Sequence, residues 1–427
     1  MNRSVAPEVK PFGHLTVPPE RVEILPNGIT LHSVSGGDQP VSRLSMAFTG
    51  GSAELGSETV ESFLMSQLSE GTLSRSAAEI ADILDYNGAR ISVRPQAHHS
   101  VTDIWFLNDR ADALLPLWAD CIANATYPEA PLETARLRAL SSYKSSRQDV
   151  AALADEAFTE LMYGADHPLG RPVTEEAIAS VSSGQLSALH RRILNPAGIH
   201  AFLSGKDDDG VRKRVVEMLS SLPSVGEGFN PVILPMDSPA APVSRFVEKE
   251  HAFQDAVMAG VAVPGRDHPD YIPLRLAVMA LGGYFGSRLM MNVREEKGLT
   301  YGISAYLLGS REGAYVAVAA QCDPDSTSVV IDEIGAEMRR LADNPPQAEE
   351  LRRLKLHAAT GLAEILDTPS SIMGYYANRL YVGTPADYFE RQQEVIGRLS
   401  PDTIAEMAAK YLRPELLSVV VAGREKK

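Results

Sequence analysis

Residue 177 aligns with residue 395, and the correspondence runs without a gap to 206 and 424, a constant offset of 218 positions. Ile178 matches Ile396, Ser182 matches Ser400, Leu194 matches Leu412, Pro196 matches Pro414 and Gly205 matches Gly423. Each copy reads as a helix, a proline break and an apolar strand that ends in glycine: Ile199-His-Ala-Phe-Leu-Ser-Gly205 in the first, Leu417-Ser-Val-Val-Val-Ala-Gly423 in the second. Two earlier strands, Leu44–Gly50 and Ala259–Gly265, hold equivalent early places in the two halves. One offset that spans half the chain is a duplicated domain, because solenoid repeats recur at far shorter periods.

A chain of 427 residues exceeds what one hydrophobic core usually organises, which fits two units. Between the halves, residues 222–242 are rich in proline and glycine and read as an extended linker. The expected division is a first domain over 1–230, a linker over 231–245 and a second domain over 246–427. Each half mixes short strands with longer helices, such as those expected over Ser76–Asn87 and Asp332–Ala342. The fold class is therefore α+β, with helices packed on a sheet.

The formal net charge of −15 argues against binding nucleic acid, which demands a basic surface. An acidic chamber would attract basic peptides, and plain solubility explains the same charge. No apolar run approaches the length of a membrane span. The start, Met1-Asn-Arg-Ser-Val-Ala-Pro-Glu-Val-Lys10, lacks the apolar core of a secretory signal. A bacterial cytoplasmic setting is expected, with the periplasm as the alternative. Cys121 and Cys322 lie far apart and suggest neither a disulfide framework nor a redox pair. His98 and His99 are adjacent, so on a strand they would point to opposite faces, and with His167 they read as structural or surface residues. The run Gly282-Gly-Tyr-Phe-Gly286 lacks the spacing of a phosphate loop and reads as a turn between helices.

Residues 289–307 concentrate the chemistry. Leu289-Met-Met-Asn-Val-Arg-Glu-Glu-Lys297 predicts a helix ended by Gly298 in the left-handed region, followed by a strand from Thr300 to Leu307. Arg294 then sits on the last helical turn and Tyr301 just past the reversal, so both reach one opening. A guanidinium and a phenol both donate hydrogen bonds and suit a peptide carbonyl. The bland alternative pairs Arg294 with Glu295 or Glu296 and half-buries Tyr301 in the strand.

The string Arg294-Glu-Glu-Lys-Gly-Leu-Thr-Tyr301, preceded by Leu281-Gly-Gly-Tyr-Phe-Gly-Ser-Arg-Leu289, resembles the Arg/Tyr signature of pitrilysin-like (inverzincin) peptidases, most closely the mitochondrial processing peptidase branch. The resemblance covers nearly the whole chain, from Leu25-Pro-Asn-Gly-Ile29 onward. It implies two homologous domains, each a mainly antiparallel sheet packed with helices, facing each other across a chamber. It also implies that Arg294 and Tyr301 orient substrate and stabilise an oxyanion.

In that family the first half carries His-x-x-Glu-His on a helix ending in Gly-Thr. Here the matching helix runs from Thr59 to Gly71-Thr72, and Ser62, Met65 and Ser66 occupy the motif positions. The family's distal glutamate falls near Ser142. Hydroxyls hardly compete for zinc, and a thioether accepts no proton at neutral pH. Val60, Phe63, Leu64 and Leu68 form an apolar stripe that Met65 can join, and no Gly-x-Ser-x-Gly elbow surrounds the serines. By resemblance, the chain is the Arg/Tyr-bearing subunit of a heterodimeric zinc endopeptidase, holding no zinc itself and acting with a zinc-bearing paralogue on peptides or small unfolded proteins. A scaffold of the kind found in respiratory complexes, or a peptide-capturing pseudoenzyme, is the alternative.

Overall fold

The computed structural model describes residues 13–207, 210–223 and 228–425. The amino-terminal stretch Met1–Lys10 and residues 224–227, within the Pro/Gly-rich stretch between the halves, lie outside the described residues. Eleven strands among the described residues form two sheets. The first contains β1 (Arg21–Ile24), β2 (Thr30–Ser35), β3 (Val41–Thr49), β4 (Arg90–Pro95), β5 (His99–Leu107) and β6 (Ile199–Gly205). The second contains β7 (Ser244–Glu248), β8 (Asp255–Val263), β9 (Thr300–Gly309), β10 (Ala314–Cys322) and β11 (Ser418–Gly423).

Their orders repeat. The first sheet runs β1-β2-β6-β3-β5-β4 and the second β7-β11-β8-β10-β9, so only β1 lacks a counterpart among the described residues. In each sheet one pair is parallel, β2 with β6 and β7 with β11, and the other neighbours are antiparallel. The mainly antiparallel α+β fold read from the sequence is thus present twice.

Seven helices position the site and cover the sheets: α1 (Glu58–Ser66), α2 (Glu129–Ser146), α3 (Val150–Tyr163), α4 (Ser183–Ile193), α5 (Thr327–Asp343), α6 (Pro369–Val382) and α7 (Pro401–Tyr411). Helices α4 and α7 are the repeat partners at the 218-residue offset. Ser182 caps α4 by accepting the Gln185 N–H, and Ser400 caps α7 by accepting the Thr403 N–H. This satisfies one orphan donor of each first turn. Ile178 and Ile396 lie on the helices preceding α4 and α7, and both are buried. They hold the same topological position. The helix expected over Ser76–Asn87 runs over Ala77–Tyr86 with those two residues as its caps.

Strand alternation sends side chains to two different cores. Leu44, Met46 and Phe48 of β3 join the large first-half core with Trp118 and Leu186. Val257, Val316 and Ile334 belong to its second-half equivalent. The opposite faces are covered by an exchange. Helix α3, from the first half of the sequence, packs Phe158 and Met162 against Met258, Tyr315 and Val420 of the second sheet. Helix α6, from the second half, packs Ile372, Met373 and Tyr381 against Val34, Ala47 and Phe202 of the first. No helix among the described residues is long and apolar enough to cross a membrane.

Candidate functional site

Tyr301 is the second residue of β9, an edge strand that pairs only with β10 among the described residues. Thr300 faces Cys322 and Ile303 faces Ala320, so Tyr301 and Gly302 together oppose the single residue Gln321. The Thr300 hydroxyl secures this bulge, accepting the Gly302 N–H at 3.1 Å and donating to the Gln321 carbonyl at 2.5 Å. Bulges of this kind re-aim a side chain. Here the phenol is thrown outward, 90% exposed.

The segment before it is a π-helical turn over Met290–Glu296, not the α-helix expected from the sequence. The Lys297 N–H reaches back five residues to the Asn292 carbonyl at 3.1 Å, which widens the turn. The buried Asn292 amide anchors it by donating to Glu333 at 2.8 Å and Glu337 at 2.6 Å, both on α5. Gly298 ends the turn with φ +61°, the left-handed conformation that its lack of a Cβ permits. Arg294 donates to the Glu295 carboxylate at 2.8 Å. Its guanidinium also lies 4.9 Å from the Phe285 ring centre and 5.6 Å from that of Tyr301. The bland alternative thus holds for one residue and fails for the other: the Glu295 pair forms, and Tyr301 is not half-buried. The two residues come together as a cation held between exposed rings.

The first-half positions behave differently from one another. Ser62 and Ser142 line a common cavity of ≈ 460 Å³ between α1, α2 and α3. Ser66 lies one turn along α1, exposed, and its hydroxyl reaches the Phe63 carbonyl at 3.4 Å. Met65 is 3% exposed and packs in the first-half core. So two of the three positions that the family resemblance assigns to metal ligands, Ser62 and Ser142, share a cavity while Ser66 does not line it; all three present hydroxyls, and the residue at the base position points into packing. This donor set does not fit zinc.

Helix α3 forms a wall shared by two cavities. Ala152, Asp155 and Glu156 line the Ser62 side. Ala151 and Ala154 line a second cavity of ≈ 680 Å³ that includes Tyr301, Gln254 and Gln321 and has no charged residue in its lining among the described residues. Burial, then the neighbouring Glu156, holds the Asp155 carboxyl above the usual range. Glu156 is itself paired with Arg147 through two bonds of 2.7 and 2.6 Å. None of these α3 residues carries a sequence signature.

Two further buried groups have surroundings that the sequence reading did not supply. Glu61, 0% exposed and adjacent to Ser62, has its carboxyl pushed up to about 9 by burial, against the opposing bond from the Gln96 N–H. His98, read from the sequence as structural or at the surface, is buried and structural. Its Nδ1 lies 2.6 Å from Glu54 and its Nε2 2.5 Å from Glu312, so it joins a carboxylate from each half of the chain. His99 instead meets the Tyr381 ring at 5.3 Å, so the adjacent pair does diverge. His167 closes the turn after α3, with Nε2 3.0 Å from the Leu234 carbonyl and Nδ1 accepting the Leu169 N–H. No group of three or more potential ligands among the described residues is arranged to hold a metal ion.

Similarity to known proteins points to the same family as the Arg294–Tyr301 string. Residues 180–356 match the family described as "Peptidase M16 inactive domain". The chain is 26% identical over 314 residues to an uncharacterized zinc protease of Mycobacterium leprae, covering 73% of this chain and 70% of that protein. A counterpart in Mycobacterium bovis is 28% identical over 273 residues, 62% of this chain and 60% of that protein's length. Among solved structures, a peptidase M16 inactive domain from Pseudomonas fluorescens superposes with a TM-score of 0.83 at 21% identity, over 95% of this chain and 98% of that one. The periplasmic protease PqqL of Escherichia coli gives 0.77 at 15% identity, over 99% of this chain but 49% of that one. These structural likenesses concern the fold.

Proposed function

We propose that the chain is a member of the pitrilysin-like, M16 peptidase family and that it is the non-catalytic, Arg/Tyr-contributing subunit of a heterodimeric zinc endopeptidase. The substrates are peptides or small unfolded proteins, and the zinc lies in a paralogous partner. The observation that carries this reading is Tyr301. A phenol aimed into solvent by a bulge, with Arg294 beside it, contributes little to the stability of its own chain and is well placed to donate to a ligand's carbonyl. The hydroxyls of Ser62, Ser66 and Ser142 support the other half of the proposal, because hydrolysis then has to come from a second chain. PqqL, of which this chain matches just under half, is consistent with a peptidase built from two such units. Arg294 and Tyr301 bind and orient the peptide carbonyl, and both favour negative charge developing on its oxygen.

Coexpression with zinc-motif paralogues, size-exclusion chromatography and a peptide digest test the assignment. In the active pair, Tyr301→Phe lowers turnover roughly 100- to 1,000-fold while zinc content and assembly stay intact, as expected for one lost oxyanion donor. Arg294→Ala acts more on KM if the guanidinium holds ground-state carbonyls. Wild-type turnover in both variants, with the partner's zinc verified, would make the pair inherited surface and the scaffold reading the better one.

A further inference from the structure

The exchanged helix α6 does not seal completely against the first sheet. Between them lies a pocket of ≈ 210 Å³ lined by Arg43, Ser45, Arg94, Gln96, Asn378 and Tyr381, with Phe202, Met373 and Ala377 as an apolar wall. It is remote in sequence from Arg294 and Tyr301 and shares no lining residue with the cavities beside Tyr301 and Ser62.

Its charge is unbalanced. Arg43 donates from Nη2 to Asp103 Oδ1 at 2.9 Å, and Arg94 donates from Nε and Nη2 to both Asp103 oxygens at 2.9 and 3.0 Å. The Ser45 hydroxyl also bonds to Asp103. Two guanidiniums therefore share one carboxylate, which is 1% exposed and already accepts four hydrogen bonds. One positive charge is left without a partner of its own, and no carboxylate lines the pocket among the described residues. In a chain of net charge −15, this is a locally cationic recess.

The helix also leaves the space open. Gly374 lies within α6 on the pocket wall, and a Cβ built there would meet no atom within 4 Å. A glycine inside a helix destabilises it relative to alanine. Nothing in the chain's own packing requires that cost at position 374.

We propose that this pocket binds a small organic carboxylate. The single surplus charge matches a monoanion, and arginine presents the planar donor fork that carboxylates accept. Phe202, Met373 and Ala377 provide the surface for the apolar part of such an acid. Since α6 comes from the second half and the arginines from the first, an occupant touches both and favours their association.

Calorimetric titration of the purified full chain at constant ionic strength tests this with benzoate, inorganic phosphate, and the dipeptide Ac-Ala-Phe as free acid and as amide. The expected result is saturable one-to-one binding of benzoate with a rise in melting temperature. Arg94→Gln weakens that binding roughly 10- to 100-fold, the loss of a charge-assisted bond. Gly374→Leu, which adds bulk on the exposed α6 wall of the pocket without touching its charges, weakens binding while leaving the melting temperature of the free protein unchanged or higher. Binding of the dipeptide acid but not its amide would extend the class to peptide carboxyl termini, whereas benzoate alone would restrict it to free acids. No saturable carboxylate binding, tighter binding of phosphate than of benzoate, or undiminished binding by Gly374→Leu would overturn the proposal.

Discussion

At position 98 a single imidazole lies between two carboxylates, Glu54 from the first half and Glu312 from the second, and all three are largely removed from water. Burial alone would lower the histidine's pKa, but the bonds to Glu312 and Glu54 outweigh it and raise the value to about 9. Burial alone would raise the Glu312 carboxyl, but the bonds from His98, Ser310 and its own backbone N–H, with the charge on His98, together outweigh it and move it down. The histidine's contribution to stability is therefore complete below the ordinary imidazole range and disappears as pH rises through about 9. The contribution of Glu312 is complete above the ordinary carboxylate range and disappears on acidification. His98→Ala leaves two buried carboxylates without their cation, so a loss of about 3–5 kcal/mol in urea unfolding at neutral pH is expected. In the wild type, stability should also fall as pH rises from 6.5 through about 9, by the linkage of one proton. Glu61 titrates toward about 9 as well and adds the same slope to both proteins. An NMR titration that places the His98 imidazole near its ordinary value would show that it is not held protonated in the fold.

Among the elements, the clearest duplicated device is the serine cap. Ser182 and Ser400 start α4 and α7 with the same hydrogen bond and the same extended backbone, φ −124° and −123°. Each serine→alanine change should cost about 1 kcal/mol, and the double variant about the sum, since the sites share no partner. Thermal unfolding measures this, and a strongly non-additive pair would contradict two independent caps. The π-helical turn and the β9 bulge stand at the other extreme. Local composition predicts an α-helix and a regular strand there, because the rules for both are averages over ordinary environments. What widens the turn and shifts the strand are contacts with other elements, Asn292 to α5 and Thr300 to β10. Gly298 between them was legible, since a left-handed helix stop is a property of one residue.

On the scale of the whole molecule, α3 and α6 are exchanged between the halves of the sequence. We propose that the domain boundary lies within residues 222–245, and limited proteolysis should cut there before it cuts either core. The nicked halves should nonetheless co-elute in native size-exclusion chromatography. Separation would expose the face of α3 around Phe158 and the face of α6 around Ile372 and Tyr381. For the same reason, 1–230 and 246–427 expressed singly should aggregate, and coexpression should rescue them. Two well-behaved monomeric halves would show that the exchange contributes little.

The duplication, the α+β class, the left-handed stop at Gly298 and the proximity of Arg294 to Tyr301 were legible in the amino acids alone. All of these depend on residues that are close in the chain or related by one constant offset. Which residues become buried on the second face of each sheet depends instead on long-range packing. The segment Leu44-Ser-Met-Ala-Phe48 reads as a strand, but that reading does not say what covers its second face, where Ser45 and its partner Asp103 are buried. The covering helix arrives from more than 300 residues away, and no local pattern in β3 encodes it. The His98 bridge and the arginine pocket depend on the same long-range approach. Charged and polar side chains that the sequence assigns to water are held instead between two halves of one chain, where their interactions are strongest.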